Sequence, residues 1–379
     1  MRILAVNGDR GGCAYYRIKT PMWKAQENGF EVTIKDGYDL KDFIGSKISE
    51  KKFQKLQPKI LKHPEIEKKL PIEVPYDIYV FQRQCNGQGV VRMKFLQEHG
   101  KKTIYEIDDA LWDIDRTNPA YDAFMSEQSL KAMYNMLTMA DGLTVSTEYL
   151  KKQLKNFNKN IAVLPNCLDM IKWERYRASR EKVQAEKTDN KIRIGYAGST
   201  THFLDFRILK NVLPEILRRN PNVILKLIGC DWRVIFKEEF KGLENQVEVV
   251  PWVDLENYPY SLTDIDIGLA PLADTNFNRC KSNLKWLEYS TMGIPTVASG
   301  VEPYKCIRDG VTGILVNSTS HRIWVREIQG LINSRVKREL IGAQARAHVV
   351  EKYDINKTWP EWIKFYYGVL NADKVKAAG

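Results

Sequence analysis

The chain predicts an α/β fold: two doubly wound, Rossmann-like domains facing a central cleft. Three observations carry that expectation. Short β-branched runs alternate with helix-length amphipathic stretches along the 379 residues. These runs form two series, separated by a polar, charged break at 174–190 with no strand pattern. The length suits two domains, each able to bury its own core. Strands separated by helices imply parallel sheets. In such sheets ligands lie outside the carboxyl ends of the strands.

The first series reads as strands at 3–6, 77–81, 103–107, 143–146 and 161–164. After the first strand comes Asn7-Gly8-Asp9-Arg10-Gly11-Gly12-Cys13-Ala14-Tyr15-Tyr16-Arg17, where consecutive glycines suit a loop passing close to a ligand. It lacks the full dinucleotide-binding glycine spacing. Asp108 and Asp109 end the third strand and have three competing readings: hydroxyl binding, general-base work or a metal site. Hydroxyl binding is preferred because no third ligand is evident, and a helix N-cap is the structural alternative.

The second series reads as strands at 192–197, 223–228, 247–251, 265–270, 295–298 and 313–316. Its first strand enters Gly198-Ser199-Thr200-Thr201-His202, a small-residue loop suited to a phosphate, and His202 is the one histidine placed in the cleft. Trp252, after the third strand, reads either as a base-stacking face or as a core residue. The most informative segment runs from Cys280 to Ser299. Ser282 and Asn283 open a helix whose first amides, with Leu284, face an anion, and Glu288 in the second turn suits sugar hydroxyls. Gly293 ends that helix and Pro295 prevents its continuation.

A net charge of +11 favours acidic partners: nucleotide sugars, an anionic membrane surface or nucleic acid. Six dispersed cysteines show neither zinc-ligand spacing nor a disulfide framework and read as packing residues. No apolar run is long enough to span a bilayer and no signal peptide is evident, so a cytoplasmic location is expected. The insertion 41–69, rich in lysine and interleaved with Phe43, Ile48, Phe53 and Ile60, reads as a solvated helical hairpin, with an acceptor-side or membrane-facing surface as the alternative.

The 280–299 pattern resembles the nucleotide-sugar site of retaining glycosyltransferases of the GT-B fold, family 4 (glycosyl transferases group 1). Val163-Leu164-Pro165-Asn166-Cys167-Leu168-Asp169 resembles the signature that closes their first domain. The resemblance implies an acceptor-side domain at 1–170, a donor-binding domain at 171–352 and a final helix, 353–379, crossing back onto the first. It implies donor contacts from Gly11, Gly12, Gly198, Ser199, Thr200, Trp252, Val253, Ser282, Asn283, Leu284 and Glu288. Ser199 and Asp205 stand where the family usually places the arginine and lysine that hold the diphosphate, and Cys280 stands where its first paired glutamate would be. Lys281 is then the first substitute for the missing cations, with Arg279, Arg207 and Arg233 behind it. Lys281, Glu288 and Asp109 are the catalytic candidates. Tyr16, Arg17, Asp108, Asp109 and Trp112 are the acceptor-side candidates.

The G-S-x-x-H-x-x-D loop resembles a bacterial and phage branch of this family. The function implied is a hexosyl- or pentosyltransferase using a UDP-sugar with retention, needing no permanently bound cofactor and no metal. A saccharide or lipid-linked sugar is the first acceptor, and a hydroxymethylated DNA base is the alternative. A non-catalytic nucleotide-sugar-binding protein and a nucleotide-sugar epimerase are the rival classes.

Overall fold

A computed structural model describes residues 1–36, 55 and 74–377. Two six-stranded sheets are built entirely from parallel neighbours. The first contains β1 (Arg2–Val6), β2 (Glu31–Lys35), β3 (Ile78–Gln82), β4 (Lys102–Ile107), β5 (Gly142–Val145) and β6 (Ile161–Val163), in the order β2-β1-β3-β4-β5-β6. The second contains β7 (Ile192–Gly198), β8 (Val223–Gly229), β9 (Val247–Pro251), β10 (Ile267–Ala270), β11 (Thr296–Ser299) and β12 (Ile314–Val316), in the order β12-β11-β10-β7-β8-β9. The strand order reverses beside β1 and beside β7, so each sheet opens a crevice at the carboxyl end of its first strand.

Alternation along the strands explains why both faces of each sheet are covered. Ile3 and Ala5 join one cluster while Leu4 and Val6 join another. In the second sheet Ile194 and Tyr196 point to one core and Ala197 to the other.

Sequence reading missed β2. Its Glu-Val-Thr-Ile-Lys pattern is an edge strand with Val32 buried and Glu31 exposed, so it carries little apolar signal. The polar break at 174–190 is mostly helix, Met170–Glu186, which buries only Trp173 and Tyr176. Beyond it, the chain returns beside Leu168, whose N–H and C=O bond Tyr353 O and Ile355 N at 2.9 Å each. The last helix, Ile355–Ala377, then lays Trp362, Ile363, Tyr366 and Val369 into the cluster holding Ile3, Ile18 and Ile78. The 41–69 insertion lies outside the described residues except for Lys55.

Arg17 corrects an expectation. The resemblance implies an acceptor-side role, but its side chain is fully buried in a π-helical turn, Tyr15–Lys19, following the glycine loop. Its guanidinium meets Glu106 at 2.7 and 3.1 Å, Asn166 Oδ1 at 3.2 Å and the Leu164 carbonyl, under the Trp362 ring. The side chain has no exposed surface to offer a ligand. Removing one member of a buried pair strands the other, so Arg17→Met should destabilise the protein by ~3–5 kcal/mol in urea unfolding. The double change Arg17→Met with Glu106→Leu should recover more than half of that loss, because no uncompensated charge remains.

Candidate active site

Between the two sheets lies a cavity of about 390 Å³ whose walls are the loops that follow strand ends. From the first half come Gly12, Cys13 and Tyr16 after β1, Asp108 and Asp109 after β4, and Asn166 after β6. From the second half come Gly198 at the end of β7, Ser199 and His202 after it, Gly229 at the end of β8, Trp252 and Val253 after β9, and Lys281, Ser282, Leu284, Lys285 and Glu288 at the floor. Gly229 has φ +97° and lies in register with Gly198, so the ends of β7 and β8 can turn away together.

The helix Leu284–Thr291 is the floor. Its first intrahelical bond runs from Leu287 N to Asn283 O at 3.1 Å, so the preceding amides have no partner within the helix and present a positive end. Neither Ser282 nor Asn283 caps it through a side chain. Ser282 Oγ accepts from Asn166 Nδ2 of the other half at 2.8 Å, and Asn283 Nδ2 reaches Cys306 Sγ at 3.2 Å. Gly293, at φ +73°, ends the helix. Lys285 and Glu288 lie three residues apart and both line the cavity.

Glu288 is buried, and two tyrosine hydroxyls donate to it: Tyr16 from the first half at 2.9 Å and Tyr258 at 2.9 Å. Burial raises its carboxyl pKa, against the opposing pull of those two bonds. Lys285 Nζ lies 3.3 Å from His202 Nε2, and His202 Nδ1 lies 2.8 Å from Asp205 Oδ2. Burial, and then the neighbouring Lys285 charge, hold His202 down at about 4, so the ring is neutral at pH 7. Burial also lowers Lys285. Lys281 Nζ lies 3.4 Å from Asp109 across the cleft and 4.3 Å from the Phe277 ring centroid.

Residues 191–334, the segment holding β7 to β12, match the family model described as glycosyl transferases group 1. The chain carries a group 1 glycosyltransferase domain. A curated relative, the putative teichuronic acid biosynthesis glycosyltransferase TuaH of Bacillus subtilis (strain 168), is 24% identical over 208 residues. That alignment takes in 53% of this chain and spans about half, 51%, of the relative. Among solved structures, sucrose-phosphate synthase from Thermosynechococcus elongatus superposes with a TM-score of 0.67 at 14% identity, covering 98% of this chain and 100% of that one. Anabaena HepE, in complex with UDP and glucose, gives 0.66 at 16% identity over 96% and 99%. At such identities the likeness is one of fold, and the fold is GT-B.

Several expected site residues lie elsewhere in this GT-B fold. Thr200 and Arg207 are exposed, and Arg233 is folded back onto Asp231 at 2.8 and 2.9 Å; none lines the cavity. Trp112 packs against the first-half core, and Gly11 and Asn283 do not line the cavity. Trp252 is 71% exposed on the rim, which removes the core-residue reading. Asp108 and Asp109 cap no helix, since the next one begins at Tyr121. Cys280 is fully buried, packed into the first-half cluster, so its side chain does not face the cavity.

Lys285, Tyr258 and Asn166 escaped prediction as site residues. Only Lys285 left a signal, its position three residues before Glu288 on one helix face. Among the described residues, Cys13, Asp108 and Asp109 bring one ligand atom each within 4.8 Å, the one set that would suit a cation. Arg83 is already there. Its guanidinium stands 2.7 Å from Cys13 Sγ, 3.4 Å from Asp108 and 3.7 Å from Asp109, while burial and then the Asp108 charge raise the thiol well above its ordinary value. The cluster therefore fits an arginine-neutralised acidic wall better than a metal centre.

The His202 titration has a measurable consequence. Unfolded, the imidazole takes a proton near 6.5, whereas the folded protein resists it until about 4. Stability present at neutral pH is thus lost as pH falls through that window, by at most ~1.4 kcal/mol per pH unit from this group. Urea midpoints between about pH 7 and pH 4.5 should fall less steeply for His202→Gln than for the wild type.

Proposed function

We propose that the protein transfers a sugar from a UDP-sugar to a hydroxyl acceptor with retention of anomeric configuration. Residues 1–170 and the final helix would form the acceptor half and residues 171–352 the donor half. The observation that carries this reading is the helix start at Leu284 with Lys285 and Glu288 on its cavity face, opposite the Gly198 loop and Asp109. An anion and a polyol are thereby offered adjacent sites in one cavity. The UDP and UDP-glucose complexes of HepE support the choice of donor.

In this mechanism the first-turn amides, Lys281 and Lys285 take up the negative charge that builds on the diphosphate as the glycosidic bond lengthens. Glu288 accepts ribose hydroxyls in place of the Tyr16 and Tyr258 hydroxyls it now receives. Trp252 offers its exposed face to the base. The acceptor enters on the first-half wall, where Asp109 accepts a hydrogen bond from its hydroxyl. That oxygen bonds to the anomeric carbon on the face the diphosphate leaves, and its proton passes to the departing phosphate oxygen. No protein nucleophile is required, which agrees with a buried cysteine at position 280. A relative named for teichuronic acid biosynthesis favours a saccharide acceptor over a DNA base.

A panel of nucleotide sugars, scored by nucleoside diphosphate release and thermal shift, tests the proposal. A UDP-sugar should be turned over, and Lys281→Ala, Lys285→Met and Glu288→Ala should each lower release ~100-fold while circular dichroism stays unchanged. Wild-type rates in all three variants would refute the site. Free product sugar epimers without transfer would mark an epimerase, binding without release a non-catalytic module, and stimulation by hydroxymethylcytosine-containing DNA would move the acceptor to nucleic acid.

A further inference from the structure

The loop after β7 lacks a cation where a bound diphosphate would need one: Ser199 is exposed and position 205 is an acid. Asp205 is nevertheless buried and fully engaged. Its Oδ1 accepts from Ala273 N at 2.9 Å and from Asn278 Nδ2 at 2.7 Å, which prevents the carboxylate from turning. The other oxygen, Oδ2, is left for His202 Nδ1 at 2.8 Å. A carboxylate only accepts, so the imidazole proton sits on Nδ1 and the Nε2 lone pair points outward. Lys285 Nζ, 3.3 Å away, is the donor that meets it.

We propose that His202, fixed by Asp205, is a positioning residue that aims the Lys285 ammonium at the leaving diphosphate; the role rests on the donor site proposed above. One ammonium proton is spent on Nε2, and the other two are left for the cavity. Without His202, the competing partner for Lys285 is Glu288, three residues along the same helix, and an ion pair between them would consume both the cation and the ribose carboxylate. The acid just after the loop, in the helical turn Phe203–Arg207, thus does at one remove what a loop cation would do directly. Asp205 orients an uncharged ring, and the ring orients a lysine carried by another element.

Two measurements decide it. The first is UDP affinity by calorimetry for wild type, His202→Leu, His202→Gln, Lys285→Met and the double variant His202→Leu with Lys285→Met. His202→Leu should weaken UDP about ten-fold, the effect of losing a hydrogen bond to a charged group, and His202→Gln, which keeps a side-chain acceptor, should restore most of it. On the Lys285→Met background His202→Leu should have no further effect. Unchanged UDP affinity in His202→Leu, or full additivity in the double variant, overturns the proposal.

The second is nitrogen NMR of the His202 ring in the free protein. Nε2 should be unprotonated at neutral pH, and Lys285→Met should move the ring's titration upward. A protonated Nε2, or a titration indifferent to Lys285, overturns the contact whatever the protein binds. Wild-type protein that shows the expected ring signature but binds no UDP would place the failure in the donor-site reading, and the role assigned to Lys285 would fall with it while the contact stood.

Discussion

The buried Arg17–Glu106 pair is the constraint on which the cleft depends. Arg17 joins four parts of the chain at one guanidinium: the turn after β1, the end of β4 through Glu106, the end of β6 through the Leu164 carbonyl, and Asn166 beyond it. Glu106 also takes the Thr144 hydroxyl of β5. Such a pair is a poor source of net stability, since desolvating both charges offsets most of their attraction, but it tolerates few alternative geometries. What it fixes is position. Tyr16 is Arg17's chain neighbour, Asp108 and Asp109 follow Glu106 within three residues, and Asn166 passes the constraint on to Ser282 in the other half. The two walls of the cavity are thereby registered by a buried group that does not line it.

The floor shows how a single eight-residue helix brings several polar groups to one cavity. Its N-terminal amides are unpaired by helical geometry, its i and i+3 positions bring a cation and a carboxylate to one face, and Gly293 stops it before a buried strand. Glu288 is expensive to desolvate, and the Tyr16 and Tyr258 hydroxyls are what make its burial tolerable. Replacing phenol donors by sugar hydroxyls would exchange like for like, so ligand entry need not leave the carboxylate unsatisfied. Because Tyr16 belongs to the other half, that exchange also loosens a contact between the halves.

The fold was largely legible in the chain because eleven of its strands are compact apolar runs, and buried parallel strands read that way. The edge strand β2 was not, since only alternate positions are covered. Of the candidate cavity, the parts tied to local geometry could be read: Gly12, Gly198, Ser282 and Glu288 all line it. Arg17 was misplaced because sequence shows charge and not burial, and its partner Glu106 lies 89 residues away. Arg233 failed for the opposite reason, a partner two residues off that satisfies it locally. Lys285 carries little sequence signal beside Lys281, because its contact with His202 and that ring's bond to Asp205 come from another element, 83 residues away.

Charge is segregated across the cleft in a way that bears on the order of events. The second-half wall carries Lys281 and Lys285, and the first-half wall carries Asp108 and Asp109 backed by Arg83. Arg83 holds φ at 53°, a conformation costly for a side chain of its size, and its guanidinium is thereby kept behind the acids. Lys281 bridges the walls by an ion pair, at 3.4 Å from Asp109. In the proposed reaction a diphosphate would compete for that ammonium, and every step of its move toward the phosphate would release Asp109 from its cross-cleft partner. The carboxylate would then be free to accept from an acceptor hydroxyl only once a donor occupied the floor. Arg83, still in place, would keep the pair of acids from repelling one another in the interval, so donor binding and the readiness of the acceptor wall would be coupled through one lysine.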